Sequence, residues 1–127
     1  MKWRWIRLHE ADAMHAQQIA EYGGLSGMRD KGLFESAMAR PENLAAYGDP
    51  DVCDLAAAYA FGLARNHPFV DGNKRTAFVV SAAFMLLNGR DPAATEIEVV
   101  ETFFKLAAGE MQEGDLANWF REKSKEL

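Results

Sequence analysis

The sequence predicts an all-α fold, a single compact bundle of about six helices around a buried central helix. Three observations carry this. Apolar residues recur at spacings of three and four in segment after segment. Residues that start and stop helices fall between those segments. Strand-like alternation is confined to Trp3 and Trp5. A chain of 127 residues is long enough for one core, so residues 1–127 are read as one domain. With 49% hydrophobic and 26% charged residues it belongs among ordinary globular proteins, which excludes the disordered and fibrous classes.

The elements follow in order. From about Ala11 to Tyr22, Ala11, Met14, Ile19 and Tyr22 share a face, and Gly23 and Gly24 supply the backbone that ends a helix. Asp30 is positioned to cap a second helix carrying Leu33, Phe34, Ala37 and Met38, with Pro41 expected to stop it and PENLAAYGDP to form a connector. Val52, Leu55, Ala56, Tyr59, Ala60 and Leu63 make the stripe of a third helix over Asp51–Arg65, which Pro68 ends just before His67. Asn73–Leu87 is apolar on nearly every face, which predicts the central helix, closed by Asn88 and Gly89. Thr95 and Glu98 form a capping box ahead of Val99, Val100, Phe103, Phe104 and Ala107. Asp115 is expected to cap a last helix with Leu116, Trp119 and Phe120 facing inward.

Charge and cysteine usage narrow the function. A net charge of −5 argues against a general grip on nucleic acid, which needs a basic face, so no direct nucleic-acid contact is expected. Cys53, the single cysteine, excludes an internal disulfide and a multi-cysteine zinc site, and is expected to pack as a small hydrophobe. His9 and His15 lack a second ligand cluster for a metal. The N-terminus has no uninterrupted apolar core of a signal peptide, and Ala77–Leu87 is too short to span a bilayer, so a cytoplasmic protein without membrane contact is expected.

The chemistry concentrates in RNHPFVDGNKRTAF, residues 65–78. The turn from His67 to Gly72 leads into a helix whose first amides lack partners and whose dipole is positive at that end, which makes an anion site. Gly72 is expected to let a ligand approach the backbone. Lys74 and Arg75 are unfavourable in a first helical turn unless an anion is there, and a phosphate suits them. Asp71 sits well beside a phosphate if Mg²⁺ lies between them. His67 titrates near neutrality and can take a proton from a hydroxyl. Base, metal ligand, phosphate cradle and cations together read as phosphoryl or nucleotidyl transfer.

HPFVDGNKRTAF also resembles the signature of the Fic/Doc superfamily, matching at His67, Phe69, Asp71, Gly72, Asn73, Lys74 and Arg75. Lys74 followed by RTA, and EYGGLSGMRDKGLFESAMARP upstream, are similar to the Doc (death-on-curing) toxins of Phd/Doc modules, so the likeness covers nearly the whole chain. The resemblance implies a Fic/Doc-type helical domain. Within it His67 is the general base, Asp71 the Mg²⁺ ligand, Gly72 and Asn73 the phosphate-binding turn, and Lys74 and Arg75 the phosphate clamps, with His67, Asp71 and Arg75 central to catalysis. Phe69 anchors the loop. The implied cofactors are ATP and Mg²⁺, and the implied reaction is phosphate transfer to a threonine of elongation factor Tu. The implied partner is a Phd-type antitoxin, and PENLAAYGDP corresponds to a flap that lays out the target peptide by strand addition.

Departures from the AMP-transferring Fic branch bear on the reaction. That branch usually has glycine where Lys74 stands and a second arginine where Phe78 stands. Both changes favour phosphate transfer, while Gly72 leans toward the Fic branch. The branch's inhibitory pattern, Ser or Thr, three residues, Glu, then Gly or Asn, is absent: Met38 precedes Glu42-Asn43 and Gly109 precedes Glu113-Gly114. Inhibition by a separate protein is therefore expected. Fic-type AMP transfer to another hydroxyl and a catalytically silent binding module stay open as alternatives.

Overall fold

The structure, a computed structural model, describes residues 2–127. In chain order it contains α1 (Leu8–Tyr22), α2 (Lys31–Tyr47), α3 (Val52–Asn66), α4 (Asn73–Leu87), β1 (Arg90–Pro92), α5 (Glu96–Ala107), α6 (Glu113–Glu122) and β2 (Ser124–Glu126). The architecture is the expected all-α one, with six helices and one two-stranded ribbon. Asp30, Asp51 and Thr95 cap α2, α3 and α5, each side chain accepting the backbone N–H three residues on.

The buried central helix is α3, not α4. Ten of the fifteen residues of α3 are buried, against six of fifteen in α4. The cause is side-chain size: Ala56, Ala57, Ala58, Ala60 and Ala64 let α2, α4, α5 and α6 close in from several sides. Gly62 extends this, since a Cβ there would stand 3.0 Å from the Ala37 Cα of α2. The apolar α4 packs its Ala77, Val80, Phe84 and Met85 inward and leaves Leu86 and Leu87 half exposed.

Pro41 does not stop α2, which continues to Tyr47 and takes most of the expected connector into the helix. Proline removes one intrahelical bond, but Pro41 is buried on the same face as Phe34, Ala37 and Met38, and packing against α3 outweighs the loss. A helix here cannot also be a flap that pairs as a strand; only Gly48–Asp51 connects α2 to α3.

Near the C-terminus, Gln112 occupies the cap position of α6, and Asp115, expected there, accepts the Gln112 N–H from three residues inside. Leu116 and Phe120 are buried as expected, and Trp119 half so. β1 and β2 pair antiparallel with Asp91 opposite Lys125, a ribbon of three-residue strands too short to leave a periodic signal. Trp3 and Trp5 are not in a strand. Asn88 holds the Arg4 backbone through both its N–H and C=O at 3.0 Å, and the Tyr59 hydroxyl holds the N–H and C=O of Ile6 at 3.0 and 3.3 Å. Cys53 is buried and free. Among the described residues, no helix is long and apolar enough to cross a membrane.

Candidate active site

Residues 67–75 link the C-terminus of α3 to the N-terminus of α4, so the two most buried helices fix both ends of the turn. His67 follows α3 in the left-handed conformation, φ 48° and ψ 55°, the one non-glycine residue with positive φ among those described. A residue before proline ordinarily goes extended. Holding a histidine left-handed instead costs on the order of 1–3 kcal/mol and requires support from its surroundings. Phe69 provides part of it, buried against Phe34 and His15.

The loop between α1 and α2 supplies the rest by running antiparallel to the turn. Val70 N–H donates to Gly27 O at 3.0 Å, and the Arg29 and Asp30 amides share Pro68 O at 2.7 and 3.0 Å. The Arg29 guanidinium reaches Asn66 O and His67 O at 2.9 and 2.8 Å. Gly24 lies so close to Asp71 that a Cβ there would stand 2.7 Å from Oδ2.

Asp71 and Gly72 form the centre of the turn. The Asp71 carboxylate accepts the Leu25 N–H at 3.2 Å and the Gly72 N–H at 2.9 Å. Those bonds, with Lys74 and Arg75 nearby, hold its pKa below the usual aspartate value, so it is ionised at neutral pH. Its carbonyl accepts from His15 Nε2 at 2.8 Å, and the buried His15 ring stacks on Phe69 with centroids 3.8 Å apart. Gly72 is left-handed at φ 76°, and a Cβ on it would meet Ile19 Cδ1 at 3.1 Å. The glycine is therefore required by backbone conformation and by packing on α1.

The start of α4 is open. Asn73 Oδ1 accepts the Phe69 N–H at 2.9 Å and its Nδ2 donates to Phe69 O at 3.0 Å, so the Asn73 side chain staples the turn rather than facing a ligand. Among the described residues, the amides of Asn73, Lys74 and Arg75 find no protein acceptor, whereas Thr76 N–H closes the helix onto Gly72 O. Lys74 and Arg75 are exposed and form no ion pair among the described residues. Arg75 lies over the Tyr22 ring at 4.4 Å. Three free amides, a helix dipole and two cations can hold an anion here.

Partial desolvation lowers the pKa of His67, which stays exposed, and the charges of Lys74, Arg29 and Arg65 lower it further. Its ring is thus neutral at pH 7 and able to take a proton. Among the described residues no three His, Cys, Asp or Glu converge on a metal. A cation beside Asp71 would need further oxygens from a ligand, which is how Mg²⁺ sits with nucleotide phosphates.

All six residues singled out from the sequence, His67, Asp71, Gly72, Asn73, Lys74 and Arg75, lie on this turn. Sequence reasoning missed its second layer: His15, Tyr22, Gly24 and Arg29. Three glycines in YGGLSGMRD were the available signal, since Gly23, Gly24 and Gly27 all take positive φ. An open groove of about 610 Å³ between Trp3–Leu8 and Glu35, Met38 and Glu42 is lined by none of the residues of the turn and gathers no comparable set of groups.

A family model described as Fic/DOC family matches residues 5–85, spanning α1 through most of α4. The chain is 34% identical over 119 residues to "Protein kinase doc" of Escherichia phage P1, covering 93% of this chain and 94% of that protein. It is 44% identical over 90 residues to "Toxin Doc" of Mycolicibacterium smegmatis, covering 68% of each.

Proposed function

Because the chain belongs to the Fic/DOC family, we propose that it is a Doc-like toxin, moving a phosphate from Mg-ATP to a hydroxyl side chain of elongation factor Tu and so stopping translation in the cytoplasm. The observation that carries the reading is the 67–75 turn. It carries a neutral imidazole, an ionised carboxylate and, among the described residues, three unpartnered amides and two unpaired cations.

Each group then has one task. His67 takes the proton of the acceptor hydroxyl as the oxygen attacks. Asp71 holds the metal, kept ionised and aimed by the Leu25 and Gly72 amides. The Asn73, Lys74 and Arg75 amides bind phosphate oxygens, and the Lys74 ammonium and Arg75 guanidinium offset the charge that builds on them. Mg-ATP supplies the phosphoryl group and a cation that draws electron density from it. Tyr22 keeps Arg75 from swinging into solvent by stacking beneath it. Tyr22, Leu25 and Val70 stay exposed around the turn, a rim that suits a protein acceptor better than a small molecule.

Phosphate rather than AMP is supported by two side chains. Lys74 fills the position where the AMP-transferring branch has bare backbone. Phe78 turns edge-on to Phe103 at 5.6 Å, committed to the core side of α4 instead of lining a nucleotide site with a second arginine. Control falls to a separate antitoxin of the Phd type, since the chain lacks the inhibitory motif of the Fic branch and its relatives are named as toxin and as kinase.

Intact mass of elongation factor Tu after incubation with this protein, ATP and Mg²⁺ tests the reading. One added phosphate that vanishes with His67→Ala supports it. Added AMP moves the chain to nucleotidyl transfer, and an unchanged mass removes elongation factor Tu as the target.

A further inference from the structure

The left-handed His67 needs a support that the turn itself does not contain. Helices that end in a left-handed residue usually satisfy their last carbonyls with amides from the next residues. Here the next residue is Pro68, which has no N–H to give. Arg29 instead donates to the last two carbonyls from outside the turn: its Nε reaches His67 O at 2.8 Å and its Nη2 reaches Asn66 O at 2.9 Å. Its own backbone is pinned to the same turn, its N–H donating to Pro68 O at 2.7 Å. The positive guanidinium also lies where the α3 dipole is negative, which strengthens both bonds.

From this geometry we infer that Arg29 is a positioning residue for the transfer reaction, clamping the end of α3 so that His67 keeps its left-handed backbone and its ring stays aimed at the acceptor hydroxyl. The Arg29 guanidinium is engaged by these two carbonyls, so its effect runs through His67. The fork is specific to arginine, because lysine carries the charge but cannot reach two carbonyls in a fixed plane. The inference rests on the reading of His67 as the base.

The clamp itself is tested on the unmodified chain by the solvent exchange of arginine Nε–H groups in ¹⁵N spectra. The Arg29 Nε–H is expected to exchange at least about tenfold slower than that of Arg75, which has no hydrogen-bond acceptor among the described residues. Equal rates overturn the clamp whatever the protein does to a target. The catalytic part is tested with Arg29→Gln and Arg29→Lys. Both are expected to lower kcat by about tenfold or more while Mg-ATP affinity stays within about twofold, and guanidinium ion is expected to restore part of the rate to Arg29→Ala.

The acid limb of the rate adds a readout that mere destabilisation would not move. The cations facing His67 are Arg29 from the α1–α2 loop, Arg65 from α3 and Lys74 from α4. Removing the first in Arg29→Gln shifts the limb to higher pH, and Arg29→Lys leaves it near the unmodified position. A kcat within twofold of the unmodified chain in both variants overturns the positioning role. Full transfer by His67→Ala would instead overturn the base assignment and leave the exchange result standing.

Discussion

His67 combines a strained backbone with an exposed ring whose pKa is lowered by partial desolvation and by three neighbouring cations. A general base works only unprotonated, so with His67 in that proposed role the transfer rate is expected to fall as pH drops through its folded-state value. Because that value is lowered, the acid limb of kcat/KM is expected below about 6.5, the ordinary histidine value. A limb at or above that pH would mean the ring is not held as described. Asp71 offers a second test. Gly24 is left-handed at φ 117°, and a Cβ there would press on Oδ2. Gly24→Ala is expected to displace the carboxylate and weaken Mg-ATP binding by about tenfold in a calorimetric titration, with little change in the nucleotide affinity measured without Mg²⁺.

Among the elements, what the sequence made legible was decided locally. Asp30, Asp51 and Thr95 are caps within three residues of the amides they satisfy, and the stripe of α3 follows from its own spacing. Pro41 misled because its effect depends on α3, a partner that no window of sequence contains. The centrality of α3 was hidden for the same reason, since a run of alanines gives a weak apolar signal yet permits the closest packing. Gly62→Val is therefore expected to lower stability by about 2 kcal/mol, through overpacking against Ala37, read as a shift in denaturant midpoint. Thr76 tests the opposite case. Its hydroxyl in α4 is buried with no partner among the described residues. Thr76→Val keeps the shape and is expected to raise stability by about 1 kcal/mol; a loss would mean that Oγ1 has a partner, such as an ordered water.

Across the whole molecule, the chain carries a net charge of −5, yet its ion pairs lie away from the turn, at Arg40–Glu113, Arg121–Asp51, Arg121–Asp54 and Lys123–Glu98. Among the described residues Arg29, Arg65, Lys74 and Arg75 form no ion pair, and with Asp71 as the carboxylate beside Lys74 and Arg75 the acidic protein keeps a local basic site at this turn. The six motif residues were legible because they are contiguous. His15, Tyr22 and Arg29 were not, because they reach the turn from α1 and its loop, 56 residues away in the case of His15 and Asp71. For a toxin, expression of the chain alone is expected to arrest bacterial growth and His67→Ala to be tolerated; equal growth arrest by both would separate toxicity from this site.

The central claim is that the 67–75 turn holds nucleotide phosphate on the first amides of α4. Titrating Mg-ATP into ¹⁵N-labelled protein tests it most directly. The largest amide shifts are expected at Asn73, Lys74 and Arg75, with Leu25 following through Asp71. Shifts centred instead on Trp3–Leu8 and α2, or none at saturating nucleotide, would contradict it.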